Sequence, residues 1–182
     1  MHSRLVAVVL AAAFAVACTE SMQTPTGPGS LTAPVFVNAQ HGGTAHHHFT
    51  HLNGENEVPV RDTKAQGQAV FFVNEAGTEI SYKLNVANIE NVTQAHIHLG
   101  PPTGTGNIVV WLYPSQPPFQ VTLIPGRTQG TLAEGTFGAS RLINDLAGEP
   151  LSTLLDEIRA GNTYVNVHTL QFPPGEIRGQ IR

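Results

Sequence analysis

The segment Thr78-Glu79-Ile80-Ser81-Tyr82-Lys83-Leu84-Asn85-Val86-Ala87-Asn88 carries the clearest structural signal in the chain. Apolar and polar side chains alternate along it, which places one set on each face of a β-strand. Residues 75–78 form a turn signal that connects it to a second strand candidate, Gln68–Asn74. These two segments therefore predict a β-hairpin.

Similar short segments, separated by glycine, asparagine and proline, recur along the rest of the chain. Together they predict an all-β fold, an antiparallel Greek-key sandwich or barrel of about eight strands. The further strand candidates are Thr93–Leu99, Ile108–Tyr113, Phe119–Ile124, Thr128–Thr136, Thr163–Thr169 and Glu176–Arg182.

One short helix is predicted among the strands. Pro150 suits its start, and Gly161 suits a left-handed helix end. Between them, apolar residues recur at helical spacing, which predicts a stripe that packs against one end of the sandwich. The stripe consists of Leu151, Leu154, Leu155 and Ile158.

Two strand candidates place histidines on a common face. Strand alternation directs His96 and His98 to one face and Ile97 to the other. In Thr163–Thr169 the same alternation groups His168 with polar residues, opposite two valines. We therefore expect the three histidines on the solvent-facing, polar side of a sheet whose other side is apolar.

Converging imidazoles at His96, His98 and His168 would suit a metal ion. Neutral imidazole is the commonest protein ligand for metals. Three such nitrogens at about 2.0–2.2 Å suit zinc or copper and leave a position open for water or another ligand. The sequence therefore predicts a metal site at these residues, while hydrogen bonds from the histidines to loops across the sheet face remain the alternative.

A second group of histidines lies near residue 45. It can bind metal loosely, supply a fourth ligand to the first site, or be a solvated segment without a function. The group consists of His41, His46, His47, His48 and His51.

Two pairs of charged residues also share strand faces. Glu176 and Arg178 predict an ion pair with a neighbouring strand. Glu55 and Glu57 share a face if their segment is extended, and paired carboxylates of this kind carry out acid–base chemistry, fix loops or lie in solvent.

The amino-terminal part of the chain resembles an export and anchoring segment. Residues 1–17 combine an early positive charge, an apolar run and a small-residue cleavage site, which is typical of a signal peptide. Cys18 follows directly, and Ala15-Val16-Ala17-Cys18 resembles a bacterial lipobox with Cys18 as the lipidated residue. The alternative is ordinary cleavage near Cys18, which leaves a free thiol on a secreted protein. Residues 18–45 then form a predicted flexible tether, and residues 46–182 a predicted folded domain.

Composition restricts the partners. The chain has a net charge of −4, and it lacks basic runs interleaved with aromatic residues, so nucleic-acid binding is excluded. Its single cysteine excludes an internal disulfide. We expect an unknown extracellular protein or small ligand as the partner, and membrane contact only through the lipid anchor.

Four motifs in order give a family resemblance over Phe49–Arg182. This stretch resembles the CHRD domain, the module first described in chordin. The resemblance implies a binding function and no catalytic residues. The motifs are Leu52–Pro59, Ala95–Gly100, Tyr164–Thr169 and Gly175–Ile181.

A weaker likeness is to the copper–zinc superoxide dismutase family. It rests on a His-x-His strand, a later Val-His and a closing strand that contains glycine. It implies copper-type ligation by His96, His98 and His168. The bridging histidine, zinc carboxylate and disulfide of that family are missing here, so the likeness does not imply dismutase activity.

These observations lead to two main functional hypotheses and to a third, a structural envelope protein that packs or assembles. The leading one is an exported, lipid-anchored, non-enzymatic binding or interaction module of the cell envelope. The alternative is a copper- or zinc-binding metalloprotein that stores metal or performs limited redox chemistry.

Overall fold

Seven strands form one antiparallel sheet in the computed structural model of the protein, which describes residues 46–182. This part of the chain also contains one α-helix, α1 (Leu151–Arg159), and 3₁₀ turns at Gly54–Asn56, Ala139–Arg141 and Asn144–Leu146. The predicted all-β antiparallel architecture with a short helix is confirmed. The strands are β1 (His47–Asn53), β2 (Gln66–Val73), β3 (Ile80–Leu99), β4 (Asn107–Tyr113), β5 (Ile124–Phe137), β6 (Thr163–Thr169) and β7 (Ile177–Gln180).

The 20-residue strand β3 closes the sheet into a barrel. Its first half pairs with β2 and β5, and its second half pairs with β6 and β4. Because β1 joins β2 to β7, and β7 joins β6, the ring of strands returns to β3. The bend lies at Asn88 and Asn91, whose φ angles are 55° and 53°. Asparagine adopts this left-handed conformation more readily than most residues.

Alternation along the first half of β3 builds the core as predicted. Ile80, Tyr82, Leu84 and Val86 are all buried. The predicted hairpin is also present, since Val73 of β2 pairs with Ile80 of β3. The helix buries its predicted stripe in the same core, and each such side chain stabilises the fold by about 1.5–3 kcal/mol.

Three strand predictions differ from the structure. The candidates Thr78–Asn88 and Thr93–Leu99 are parts of the single strand β3, because the bend continues the chain instead of breaking it. The candidate Phe119–Ile124 is wrong, since this stretch is a loop and β5 begins only at Ile124. Val121 and Leu123 of that loop are 61% and 46% exposed, so their alternation has no apolar surface to pack on.

Strand β1 was not predicted. Its sequence is polar and rich in histidine, so it shows no clear alternation of apolar and polar residues. Thr50 and Leu52 are the buried residues of this strand. The described part of the chain thus has seven strands instead of about eight. Its helices all lack the length and apolar character needed to cross a membrane.

Candidate metal centre

The three predicted histidines lie on one face of the β3–β6 pair. His96 is opposite Asn166, His98 is opposite Tyr164, and Gln94 is opposite His168. Residues opposite each other in an antiparallel pair point to the same face. The predicted common face is therefore confirmed, and the valines of β6 pack on the other face in the core.

The histidine face is buried, contrary to the prediction that it would face solvent. The exposed fractions are 0% for His96, 8% for His98 and 6% for His168. Backbone carbonyls of Gly106 and Pro173 reach this face from two loops, and the Trp111 ring of β4 lies against it. Alternation predicted which side chains share a face, but loops from distant parts of the sequence decide whether that face meets water.

The ring nitrogens of the three histidines converge. One nitrogen from each ring lies within 4.8 Å of the other two. His96 Nδ1 and His168 Nε2 are 3.2 Å apart. Ligands of a tetrahedral ion at 2.0–2.1 Å are separated by about 3.3 Å, so this spacing suits two donors of one metal ion as well as a hydrogen bond.

Backbone carbonyls fix the tautomers of two of the rings. His98 Nδ1 is 2.9 Å from the Gly106 oxygen, and His168 Nδ1 is 2.8 Å from the Pro173 oxygen. A carbonyl only accepts hydrogen bonds, so both Nδ1 atoms carry the proton and both Nε2 atoms carry a lone pair. A carbonyl that holds the far nitrogen of a histidine is the usual outer partner in a metal site.

Two of the ring nitrogens are buried without a partner. His96 Nε2 and His98 Nε2 form no hydrogen bond within the described residues. Leaving a buried polar atom unsatisfied costs about 1–3 kcal/mol. His98 belongs to the converging group and its Nε2 has a free lone pair, so the donor set fits an imidazole-preferring ion such as copper or zinc.

Burial keeps all three rings neutral at physiological pH. It is the main cause that lowers the pKa of His96 to about 2, assisted by His168 and His98. Burial lowers the pKa of His98 to about 4, although the hydrogen bond that His98 donates to the Gly106 carbonyl opposes this shift. The pKa of His168 is also lowered by burial, although its bond to Pro173 opposes this shift. Neutral imidazole is the form that binds metals.

Aromatic rings and an arginine surround the histidines. Trp111 lies edge-to-face with His96 at 4.2 Å between ring centroids. Tyr164 stacks on His98 at 4.8 Å with an angle of 8° between planes, and the Arg178 guanidinium lies 3.4 Å from the Tyr164 centroid. Sequence reasoning missed these contacts around the histidine rings, although Tyr164 and Arg178 both occur in the motifs that it identified.

The charged pairs behave differently from the prediction. Glu176 and Arg178 form no ion pair in residues 46–182. Arg178 donates instead to the carbonyls of Gly104 and Pro101 at 2.7 Å each, while Glu176 accepts from two threonine hydroxyls. The predicted ion pair is therefore wrong, because loop carbonyls accept the hydrogen bonds of the Arg178 guanidinium in place of a carboxylate.

Glu55 and Glu57 separate in the structure. Gly54–Asn56 is a 3₁₀ turn, so the segment is not extended. Glu55 is exposed, whereas Glu57 is buried and accepts a hydrogen bond from Asn166 Nδ2 at 2.7 Å. Burial raises the pKa of Glu57 to about 7, although Arg178 and Arg61 act in the opposite direction.

The second histidine group does not join the first. His41 lies outside the described residues. His46, His47 and His51 are exposed at or near β1, and His48 is half-buried. The converging group contains only the other three histidines of the described region, so the structure does not place a fourth ligand from the His-rich tract there.

A cavity of about 670 Å³ lies beside β1 and β7. Glu57 and Arg178 line it, and both are buried. Phe49, Val58 and Val60 also line it and are 50%, 38% and 65% exposed. This cavity is lined by none of the three converging histidines.

Comparison with known proteins identifies one family. The family model of the CHRD domain matches residues 49–181. No curated protein and no solved structure gives a significant match. The weaker likeness to copper–zinc superoxide dismutases therefore gains no support from these comparisons.

Proposed function

The chain belongs to the CHRD domain family, and from this premise we propose that it is a non-enzymatic binding module whose ligand is a copper or zinc ion. The CHRD domain suggests an extracellular interaction module. The ion would be held by His96, His98 and His168. Such a module stores or buffers the metal, and bound copper would add the capacity for one-electron redox chemistry.

The observation that carries this proposal is the convergence of one buried ring nitrogen from each histidine within 4.8 Å, together with a His98 lone pair that has no partner. Nε2 of His98 is buried without a partner, and Nε2 of His168 has only His96 Nδ1 beside it at 3.2 Å. A structural role for these histidines would favour saturated hydrogen bonds instead, because buried polar groups are normally paired. A metal ion would provide the missing partner for His98 Nε2 and would replace the contact between His96 and His168 with two bonds to the ion.

The residues have separate tasks in binding. Gly106 and Pro173 orient His98 and His168 through their carbonyls. Because His168 Nε2 has a lone pair, the proton between the close nitrogens belongs to His96 Nδ1. With an ion bound, His96 would carry its proton on Nε2, which has no other partner, and would hold the ion through Nδ1. All three rings then present a lone pair to the ion without releasing a proton to solvent.

Metal analysis tests the proposal. The purified, untagged domain is reconstituted with Cu or Zn and desalted, and about one equivalent is expected to remain. Less than about a tenth of an equivalent in the wild type contradicts the proposal. His98→Ala is expected to lose most of the metal, and His51→Ala, which changes an exposed histidine of β1, is the matched control. Substitution is preferable to deleting residues 41–51, because that deletion removes most of β1.

Export and anchoring are part of the proposed function. The signal-peptide pattern of residues 1–17 and the position of Cys18 support a lipid-anchored protein of the cell envelope. These residues lie outside the described part of the chain. Cys18→Ser is expected to release the protein from the membrane fraction, and continued retention there would count against the lipid anchor.

A second candidate is a small ligand or extracellular protein bound at the cavity beside β1 and β7. It is favoured by the exposed apolar side chains of Phe49 and Val60 at that cavity. The dye anilinonaphthalene sulfonate is a suitable probe. The wild type is expected to bind it at one site, and the double substitution Phe49→Ser and Val60→Ser is expected to abolish that binding. Unchanged dye fluorescence in the double variant would remove this candidate.

A further inference from the structure

Arg178 is a buried cation close to the candidate metal centre. Its side chain is 2% exposed, and its guanidinium lies on the Tyr164 ring, which in turn stacks on His98. Only the thickness of one aromatic ring therefore separates this positive charge from a ligand of the centre.

Arg178 is held by neutral groups. Its two terminal nitrogens donate to the carbonyls of Gly104 and Pro101. Ion pairs in the described residues are formed elsewhere, by Lys83 with Glu134 and by Arg159 with Asp156. Glu55 and Glu57 line the same cavity but form no ion pair with Arg178; the Glu57 carboxyl accepts from Asn166 and interacts with Arg178 only at a distance. The guanidinium charge is thus not neutralised by direct contact with a carboxylate.

The ligand set is neutral as well. It contains three imidazoles and no carboxylate or thiolate among the converging groups of residues 46–182. A bound ion therefore retains its full charge in a buried site. Electrostatic repulsion from a nearby cation is proportional to the charge of the ion, so a dication is disfavoured twice as strongly as a monocation. Such charges are screened little when they are buried.

We propose that Arg178 sets the charge preference of the three-histidine centre, so that the resident ion is Cu(I) instead of Zn(II) or Cu(II). This inference rests on the proposed function. Three uncharged nitrogen donors complete the coordination of Cu(I), whereas Zn(II) adds a fourth ligand such as water. Arg178 acts on the ion through space and is not itself a ligand.

The alternative role for Arg178 is purely structural. Its hydrogen bonds to the carbonyls of Gly104 and Pro101 hold in place the loop whose Gly106 carbonyl orients His98. Loss of these hydrogen bonds would lower the affinities for Cu(I) and Zn(II) by similar factors. Loss of the charge would instead raise both affinities, and the Zn(II) affinity by the square of the factor for Cu(I), because the repulsion scales with charge.

The experiment compares Arg178→Gln with Arg178→Lys, which keeps the charge. Affinities of the whole domain are measured by competition, for Cu(I) against a colorimetric chelator without oxygen and for Zn(II) against a fluorescent chelator. Arg178→Gln is expected to bind Cu(I) about threefold and Zn(II) about tenfold more tightly than the wild type. The affinities of Arg178→Lys for both ions are expected to lie within about twofold of the wild-type values.

A measurement on the wild type covers the case in which Arg178→Gln does not fold. A buried cation stabilises the reduced ion, so the one-electron potential of bound copper should be more positive than that of a copper–imidazole complex in water. A more negative potential, or parallel changes for both ions in Arg178→Gln, overturns the inference and leaves the proposed function intact. If the wild type binds neither ion, the inference and the proposed function both fail.

Discussion

The two histidine groups of this domain have opposite structures. His46, His47, His48 and His51 are dense in sequence, but they lie along and beside one strand and three of them are exposed. The other three histidines are separated by up to 72 residues, yet two of their ring nitrogens are 3.2 Å apart and buried. Density of a residue type along the chain is therefore a poor guide to a site, whereas strand pairing creates one from distant segments.

The environment of each group explains the difference. Adjacent residues of a strand alternate between its faces, so consecutive histidines cannot converge there. The pairing of β3 with β6 brings two strands side by side and aligns their histidines on one face. Four predictions test this contrast, from the largest expected effect to the smallest.

Removal of one of the three converging histidines should have the largest effect, a loss of metal affinity. We expect His168→Ala to weaken metal binding at least about 100-fold, because it removes one of three donors. His47→Ala removes an exposed imidazole of β1 and is expected to change affinity less than about twofold. Isothermal titration with Zn(II) measures both, and similar losses in the two variants would break the contrast.

Acid should destabilise the metal-free domain because the buried, converging histidines are neutral in the folded state. His98 has a pKa of about 4 in the folded state against 6.5 as its ordinary value, so the unfolded state binds protons first. The stability that it provides is complete above pH 6.5 and is lost as the pH falls towards 4. Between pH 7 and pH 5 the loss from His98 is about 2 kcal/mol.

Glu57 opposes this trend, since burial raises its pKa from 4.5 to about 7. Its contribution is present below pH 4.5 and is lost as the pH rises through 7. Glu57→Gln should therefore steepen the acid destabilisation. Urea unfolding at several pH values measures the free energy of unfolding of both proteins. A free energy of unfolding that does not change with pH in Glu57→Gln would contradict burial of neutral histidines.

Replacing a buried histidine by an apolar residue should stabilise the metal-free domain. His96 is fully buried, and its Nε2 is unsatisfied. We expect His96→Leu to raise the free energy of unfolding by no more than about 1 kcal/mol, because removal of the unpaired Nε2 is partly offset by loss of the bond between His96 Nδ1 and His168 Nε2. His51→Leu on the exposed strand β1 should change it by less than about 0.5 kcal/mol. A decrease in His96→Leu would indicate that the histidine is a structural residue.

Trp111 reports on which histidine group binds copper. It is the only tryptophan of the chain, and its ring lies 4.2 Å from His96. Copper at the converging group should reduce tryptophan fluorescence by about half or more, because a redox-active ion quenches a neighbouring ring. His98→Ala should lose this quenching and His47→Ala should keep it. Quenching that persists in His98→Ala would place the ion elsewhere.

Much of the fold was predictable because it depends on local patterns. Alternation in residues 78–88 identified one face of β3, and the spacing of Leu151, Leu154 and Ile158 identified the helix. The common face of the three histidines followed from the same rule. The bend at Asn88 and Asn91 was not predictable in this way, because whether two strand segments form one strand depends on pairing with β5 and β6.

The interior position of the site was beyond sequence reasoning. Residues such as Gly106 and Pro173 contribute carbonyls, which every residue has, so their side chains give no signal. The role of Arg178 likewise depends on where the loop with Gly104 lies. Local pattern predicts the face of a strand, but only the complete topology determines what lies over it.

The pairing of β1 with β7 has a consequence for how the chain reaches its native state. The backbone of Phe49 exchanges two hydrogen bonds with Arg182, so the first and last strands of the domain are neighbours. A polypeptide that emerges from a ribosome or a translocation pore amino-terminus first cannot complete this barrel until its final residues are free. Such late, long-range closure slows folding and leaves the earlier strands unpaired and exposed to aggregation until it occurs.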